Sequence, residues 1–226
     1  MWIKICANTN LEDAKLAAEL GADAVGFVFA PSKRQVTAAQ VARITPHLPA
    51  TVERVGVFPA LVAEEIAETA QQAGLNAVQL HGGVSLALVR QLHKIFDGQV
   101  SLIQTVHWET YTRDASAAVV ADHLKAIAAQ GFVDRILIDA KIGSTTGGTG
   151  TTFDWNAAST TLAEAGAGLK LIIAGGLRHD NVAGAIRKLA PWGVDVASGV
   201  EQSPGRKSPE KLAAFIRTVR NPKATT

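Results

Sequence analysis

Two side chains in this sequence are placed to move protons. Asp139 closes the apolar run RILID (135–139) and is followed by a loop of four glycines and three threonines (143–150) and then the helix opening FDW (153–155). A carboxylate that leaves a β-branched strand just before a loop sits where a rigid scaffold presents groups to a ligand. Packing does not explain an inward carboxylate at a strand end. Cys6, the single cysteine, ends a second apolar run, WIKIC (2–6). A thiol at such a place has two readings: a small buried apolar residue, or a base once it is ionised. One acid and one thiol facing one ligand would perform acid–base chemistry.

Two glycine-rich segments follow late apolar runs, IIAGGLRHDNV (172–182) and VDVASGVEQSPG (194–205). Glycines after strands let backbone N–H groups approach an anion, and a following helix N-terminus adds a favourable dipole. Gly175, Gly176, Ser198 and Gly199 are therefore candidates for holding a phosphate. The plainer reading is that these glycines only make tight turns. Two such segments at successive strands favour the phosphate.

These groups need a frame that brings residues 6, 139, 175 and 199 together. Short apolar runs alternate with helix-period stretches along the whole chain, the pattern of βα units around a parallel sheet. The spacing predicts eight strands at 2–6, 24–29, 54–58, 77–81, 100–106, 135–140, 170–174 and 194–198. Helices are predicted at 11–20, 37–47, 61–73, 85–95, 115–130, 155–165, 180–189 and 209–219. Eight strand–helix pairs without a first-turn G-x-G-x-x-G favour a closed (β/α)8 barrel (TIM barrel) over an open doubly wound sheet. No linker divides the 226 residues, so 1–226 is read as one α/β domain, with 220–226 as a fraying tail.

Period two then sorts side chains. Lys4, Cys6, Arg135, Leu137, Asp139, Asp195 and Ala197 point into the barrel, and Ile3, Ile5, Ile136, Ile138, Val194 and Val196 point to the helices. Lys4 has two readings, a cation beside Cys6 and an ion pair with Asp195. The ion pair is favoured, because an unpaired buried ammonium is costly. Gln79 and His81 also face inward on the fourth strand. Asp154 and Asp180 read as helix caps.

Composition narrows the ligand. The chain carries 22 basic and 20 acidic residues, a net charge of +2, with no basic run long enough to grip many phosphates. A small molecule is expected, and no nucleic acid. One cysteine excludes an internal disulfide and a cysteine-cluster zinc site, so no metal is expected. No apolar run reaches membrane-spanning length and none resembles a signal peptide. A cytoplasmic protein without membrane association is expected, as a monomer or homodimer.

The ordered set KIC (4–6), GFVF with SKR (26–34), QLHG (79–82), LIDA with GGTG and FDW (137–155), AGGL (174–177) and VDVASGVE with PG (194–205) resembles the phosphoribosylanthranilate isomerases of tryptophan biosynthesis. The resemblance implies an Amadori rearrangement of N-(5-phosphoribosyl)anthranilate to 1-(2-carboxyphenylamino)-1-deoxyribulose 5-phosphate, without a metal or redox cofactor. It makes Asp139 the general acid and Cys6 the general base. Arg34 would hold the substrate near its anthranilate part, against the alternative of a solvated loop arginine. His81 would bond substrate or the neighbouring acid, or else be satisfied within the barrel wall. As an acid Asp139 must keep its proton well above the ordinary carboxylate value of ~3.9. Residues 143–150 read as a lid over the substrate.

A similar barrel isomerising an aminoimidazole ribotide in histidine biosynthesis carries an aspartate where this chain has Cys6. Indole-glycerol-phosphate synthase needs a lysine in the barrel mouth, for which Lys4 sits too deep. A phosphosugar sensor without turnover needs neither Cys6 nor Asp139. One departure from the family pattern is Ala7, where a glycine commonly follows the cysteine. If that position takes positive φ, alanine costs ~1 kcal/mol or shifts the loop.

Overall fold

The computed structural model describes residues 1–59, 61–109, 113–142, 145–146 and 152–222. Its elements are β1 (Trp2–Ile5), α1 (Leu11–Glu19), β2 (Ala24–Val28), α2 (Ala38–Ala42), β3 (Glu53–Phe58), α3 (Ala63–Gln72), β4 (Ala77–Leu80), α4 (Leu86–Phe96), β5 (Ser101–Glu109), α5 (Arg113–Gln130) and β6 (Arg135–Ile142). They continue with β7 (Thr145–Thr146), α6 (Trp155–Ala165), β8 (Leu171–Ile173), α7 (Val182–Leu189), β9 (Gly193–Val196), β10 (Glu201–Ser203), β11 (Arg206–Lys207) and α8 (Pro209–Arg220). The sheet runs β5-β4-β3-β2-β1-β9-β8-β6, and pairing of β5 with β6 closes it into the expected barrel of parallel strands. β7 folds back antiparallel on β6.

The strands are buried on both faces, which favours the apolar runs that made them legible. Ile3, Ile5, Ile136, Ile138, Val194 and Val196 join the layer between strands and helices. Ala24, Val55, Ala77, Ile103, Leu137, Ile172 and Ala174 form a separate cluster inside the barrel. These are the two sides that period two assigns.

Polar groups bracket that inner cluster. Arg135 points inward, but it belongs to the N-terminal face. Its guanidinium makes a two-point pair with Glu53 and lies 5.0 Å from the Trp2 ring centroid and 5.8 Å from that of Trp192. It closes the barrel floor with charge-assisted bonds and cation–π contacts. Lys4, Gln79, Thr105, Asp139 and Asp195 are buried polar residues. Lys4, Gln79, Asp139 and Asp195 all follow their own strand's start and lie toward the C-terminal end, where barrel enzymes carry their chemistry.

Helix ends follow local chemistry. Asn10, Ser85, Asp154 and Ser208 each accept a backbone N–H at a helix start, worth about 1 kcal/mol apiece. Asp154 is thus the cap its position predicts. Asp180 is not one: α7 begins after Asn181, and Asp180 instead pairs with Arg178, Nε to Oδ1 at 3.0 Å. The helix predicted at 37–47 stops at Ala42 and gives way to a 3₁₀ turn, Thr45–His47. Pro46 has no N–H to continue the α-helical ladder.

The tail predicted to fray from residue 220 is held at its start. Arg220 closes α8 and donates to the carbonyls of Met1 and Gly21 and to Asp23 Oδ2. Residues 223–226 lie outside the described residues, as does the predicted lid apart from Thr145–Thr146. Among the described residues, no helix is long and apolar enough to cross a membrane.

Candidate active site

The C-terminal strand ends enclose a pocket of about 200 Å³. Cys6 from β1, Gln79 and His81 from the end of β4, and Asp139 from β6 all line it. So do Arg34 from the loop after β2, Gly175 and Gly176 after β8, and Ser198 and Gly199 after β9. All nine catalytic and substrate-binding candidates therefore line one cavity, while Lys4 lies outside its lining.

Cys6 extends β1 by one residue, its N–H donating to Val196 O at 2.8 Å. Its sulfur faces Gly26, where a Cβ would come within 2.8 Å of Sγ, so only glycine on the neighbouring strand leaves the thiol its place. Burial pushes the Cys6 thiol above its ordinary value, and Asp195 pushes it the same way. Lys4 and Lys207 oppose this but do not win. Lys4 is the larger of the two opposing charges and is at the same time paired with Asp195, so both of its expected roles coexist. Nζ lies 2.7 Å from Oδ1, and the two residues are register partners on β1 and β9.

Asp139 is buried, and desolvation followed by the nearby Asp195 charge pushes its carboxyl up to about 7. A backbone hydrogen bond from Ala140 and the Lys4 charge pull in the opposite direction and lose. Asp139 thereby holds a proton near neutrality, as an acid must. Gly175 explains how the acid is so enclosed. It has φ +83, and a Cβ there would stand 2.7 Å from Ala140 N and 3.0 Å from Asp139 Oδ1.

His81 Nε2 lies 3.9 Å from Asp139 Oδ2. Burial first, then the His107 and Lys4 charges, lower the His81 imidazole to about 4. The pair is therefore a neutral imidazole beside a protonated carboxyl at pH 6, not an ion pair. His81 meets His107 edge-on, with ring centroids 5.1 Å apart. Gln79 donates to Thr105 Oγ1 at 3.1 Å, and its Oε1 has no hydrogen-bond partner among the described residues.

Arg34 does make a two-point carboxylate pair, but with a protein partner. Nε lies 2.9 Å from Glu201 Oε1 and Nη2 lies 2.7 Å from Oε2. Neither Glu201 nor Lys207 stood out in the sequence. Both sit in the hairpin β10–β11, where they are cross-strand partners. They flank the polar turn at Pro204 and Gly205, yet Glu201 and Lys207 are 6% and 1% exposed. Asn181, which accepts from Arg178 N and donates to Gly176 O at 2.9 Å, braces the turn after β8.

A closed (β/α)8 barrel with a buried carboxyl, a thiol and glycine-rich strand ends around one C-terminal pocket defines the class, a barrel enzyme with a small-molecule site. The family model for N-(5'-phosphoribosyl)anthranilate isomerase matches residues 3–218, and the chain belongs to that family, isomerases of tryptophan biosynthesis. It is 40% identical over 224 residues to the N-(5'-phosphoribosyl)anthranilate isomerase of Pelobacter propionicus, covering 95% of this chain and 93% of that one. To that of Citrifermentans bemidjiense it is 42% identical over 220 residues, covering 95% and 94%. The crystal structure of phosphoribosyl anthranilate isomerase from Thermotoga maritima superposes with TM-score 0.83 at 36% identity, covering 97% and 98%. A further family structure, at TM-score 0.80, 34% identity and the same coverage, holds reduced 1-(o-carboxyphenylamino)-1-deoxyribulose 5-phosphate.

Proposed function

We propose that this pocket converts N-(5-phosphoribosyl)anthranilate to 1-(2-carboxyphenylamino)-1-deoxyribulose 5-phosphate, with Asp139 as general acid and Cys6 as general base. Asp139 donates its proton to the furanose ring oxygen as the bond from that oxygen to C1′ breaks. The anilino nitrogen's lone pair fills the gap and leaves a protonated Schiff base. The Cys6 thiolate then removes the C2′ proton, and the released electron pair neutralises the nitrogen to give an enolamine. Transfer of the O2′ proton away and a proton onto C1 yields the ketone. One proton leaves Asp139 and one arrives at Cys6, so the enzyme resets by proton exchange alone.

The observation that carries this reading is the Asp139 carboxyl held at about 7 in the same pocket as the chain's single thiol. Neutral His81 at 3.9 Å is suited to hydrogen-bond the carboxyl or the substrate without competing for the proton. Gly175, Gly176, Ser198 and Gly199 receive the phosphate in this reading, and Gln79 a sugar hydroxyl. Arg34 takes the anthranilate carboxylate. Its bonds to Glu201 use Nε and Nη2, which leaves the Nη1 side of the fork for substrate.

The test is steady-state turnover of freshly generated N-(5-phosphoribosyl)anthranilate by wild type, Cys6→Ser and Asp139→Asn. Losing one proton-transfer group is expected to cost about 10²–10⁴ in kcat. Wild-type turnover with little loss in either variant would sink the assigned pair.

A further inference from the structure

Lys207 is a buried ammonium that the acid–base reading leaves without a task. Its Nζ donates to the Cys6 carbonyl and stands 3.5 Å from Glu201 Oε1, while its N–H donates to Asp13 Oδ2 at 2.9 Å. Glu201 is a shared partner. It also accepts from Arg34 Nε and Nη2 and from the Gly205 N–H. Lys4 pairs with Asp195 at 2.7 Å and also acts on the Cys6 thiol.

The charges around Cys6 come from every element packed on it. They are Lys4 of β1, Asp195 of β9, Arg34 of the loop after β2, and Glu201 and Lys207 of the β10–β11 hairpin. Asp139 faces the same cavity with its proton on at pH 6. While Asp139 keeps its proton and the thiol is neutral, three cations meet two anions. A buried charge without its full complement is costly, and here the deficit is one anion wide. A Cys6 thiolate would supply it, and Lys207 is the cation whose own carboxylate is divided.

We propose that Lys207 is a positioning residue for the isomerisation: it fixes the end of β1 through the Cys6 carbonyl and adds its positive charge to that of Lys4 beside the Cys6 thiolate. This rests on Cys6 being the base. The Lys207 charge lowers the thiol's proton affinity while burial raises it, and the thiolate in turn holds the Lys207 proton that burial would release.

The test uses the whole enzyme and its one cysteine. Alkylation by iodoacetamide reports thiolate content at Cys6 alone, and the far-ultraviolet thiolate absorbance, referenced to Cys6→Ser, reports it without regard to access. Lys207→Met removes charge and hydrogen bond together, and Lys207→Gln keeps a donor to the carbonyl without the charge. Both are expected to react about tenfold more slowly than wild type at pH 6, where Asp139 keeps its proton, a shift of one unit in the thiol. Glu201→Gln, which removes the anion that divides the lysine's charge, is expected to react at least about threefold faster. This opposite sign keeps the test decisive should the lysine variants fail to fold. Arg206→Met, on the same hairpin but paired with Glu12 and Asp13, is expected to match wild type.

Wild-type reactivity in Lys207→Gln, or no acceleration in Glu201→Gln, would overturn the proposal. Because alkylation is read without turnover, the failure of Cys6 as base shows separately, as activity retained by Cys6→Ser.

Discussion

Lys4 Nζ and Asp195 Oδ1 lie 2.7 Å apart inside the barrel, on residues in direct register across β1 and β9. This pair sets opposite pressures on both proposed proton carriers. Asp195 raises Asp139 and Cys6, and Lys4 lowers both. Breaking the pair from either side leaves a buried charge unmatched, at about 3–5 kcal/mol. Lys4→Met and Asp195→Asn should each lose that much in urea melts, and the double variant should recover more than half of it. Additive losses would show that the pair is not coupled.

The pH profile follows from which proton is held more tightly. Asp139 titrates at about 7, and burial holds the thiol above its ordinary value of about 8.5. The reactive state, acid protonated and thiol ionised, is then a minority form of the singly deprotonated enzyme. kcat/KM should rise as pH passes about 7 and fall only where the raised thiol titrates. In Asp139→Asn only the thiol must ionise, so the residual rate should rise through the alkaline range without a fall. Rates measured from about pH 5 to 10 decide this. An acid limb near 4 would mean that Asp139 is not perturbed.

Much of this was legible in the sequence because parallel barrel strands, buried on both faces, write themselves as apolar runs. The inward set Lys4, Leu137, Asp139 and Asp195 followed from period two alone. Where a strand leaves its apolar run the signal fades. β5 and β6 continue together through His107–Asp139, Trp108–Ala140 and Glu109–Lys141 pairs, beyond the ends predicted for both. The β10–β11 hairpin was invisible for a related reason, since EQSPGRK carries no apolar alternation and its buried charges are satisfied by residues far away in the chain. The Arg34–Glu201 contact spans 167 positions, and no local pattern encodes it.

Asp139 should trade stability for its proton. Its folded pKa of about 7 exceeds the unfolded value of about 3.9. The native state therefore suffers no penalty below about pH 3.9, loses stability as pH rises toward 7, and bears the full cost above it. That cost is at most about 4 kcal/mol. Asp139→Asn should accordingly be far less active yet more stable than wild type by about 2–4 kcal/mol at pH 8, with the gain vanishing near pH 4. Equal stability of the two proteins at pH 8 would remove the case for a perturbed acid.

Arg34 should act on binding. A charge-assisted bond to the anthranilate carboxylate is worth about 1.5–3 kcal/mol, so Arg34→Met should raise KM about 10–100-fold with kcat nearly unchanged. Arg34→Lys should recover little, because an ammonium cannot keep both the Glu201 fork and a second carboxylate. The aniline counterpart of the substrate, lacking the ring carboxylate, should bind wild type and Arg34→Met equally. A variant that weakened both ligands alike would place the role of Arg34 in holding Glu201 and the loop after β2.

Ala7 takes φ 61 and is buried, so the alanine that replaces the family's usual glycine does occupy the left-handed region. Three effects set the outcome of Ala7→Gly. Relief of the Cβ clash favours glycine by about 1–2 kcal/mol. The greater freedom of glycine in the unfolded chain returns about 0.4–1 kcal/mol, and loss of a buried methyl costs about 0.8 kcal/mol more. The net should lie within about 1 kcal/mol of zero in denaturant melts, with kcat and KM close to wild type. A loss above about 2 kcal/mol would mean that the methyl, which faces the pocket beside Cys6, packs well enough to outweigh the strain of its own backbone.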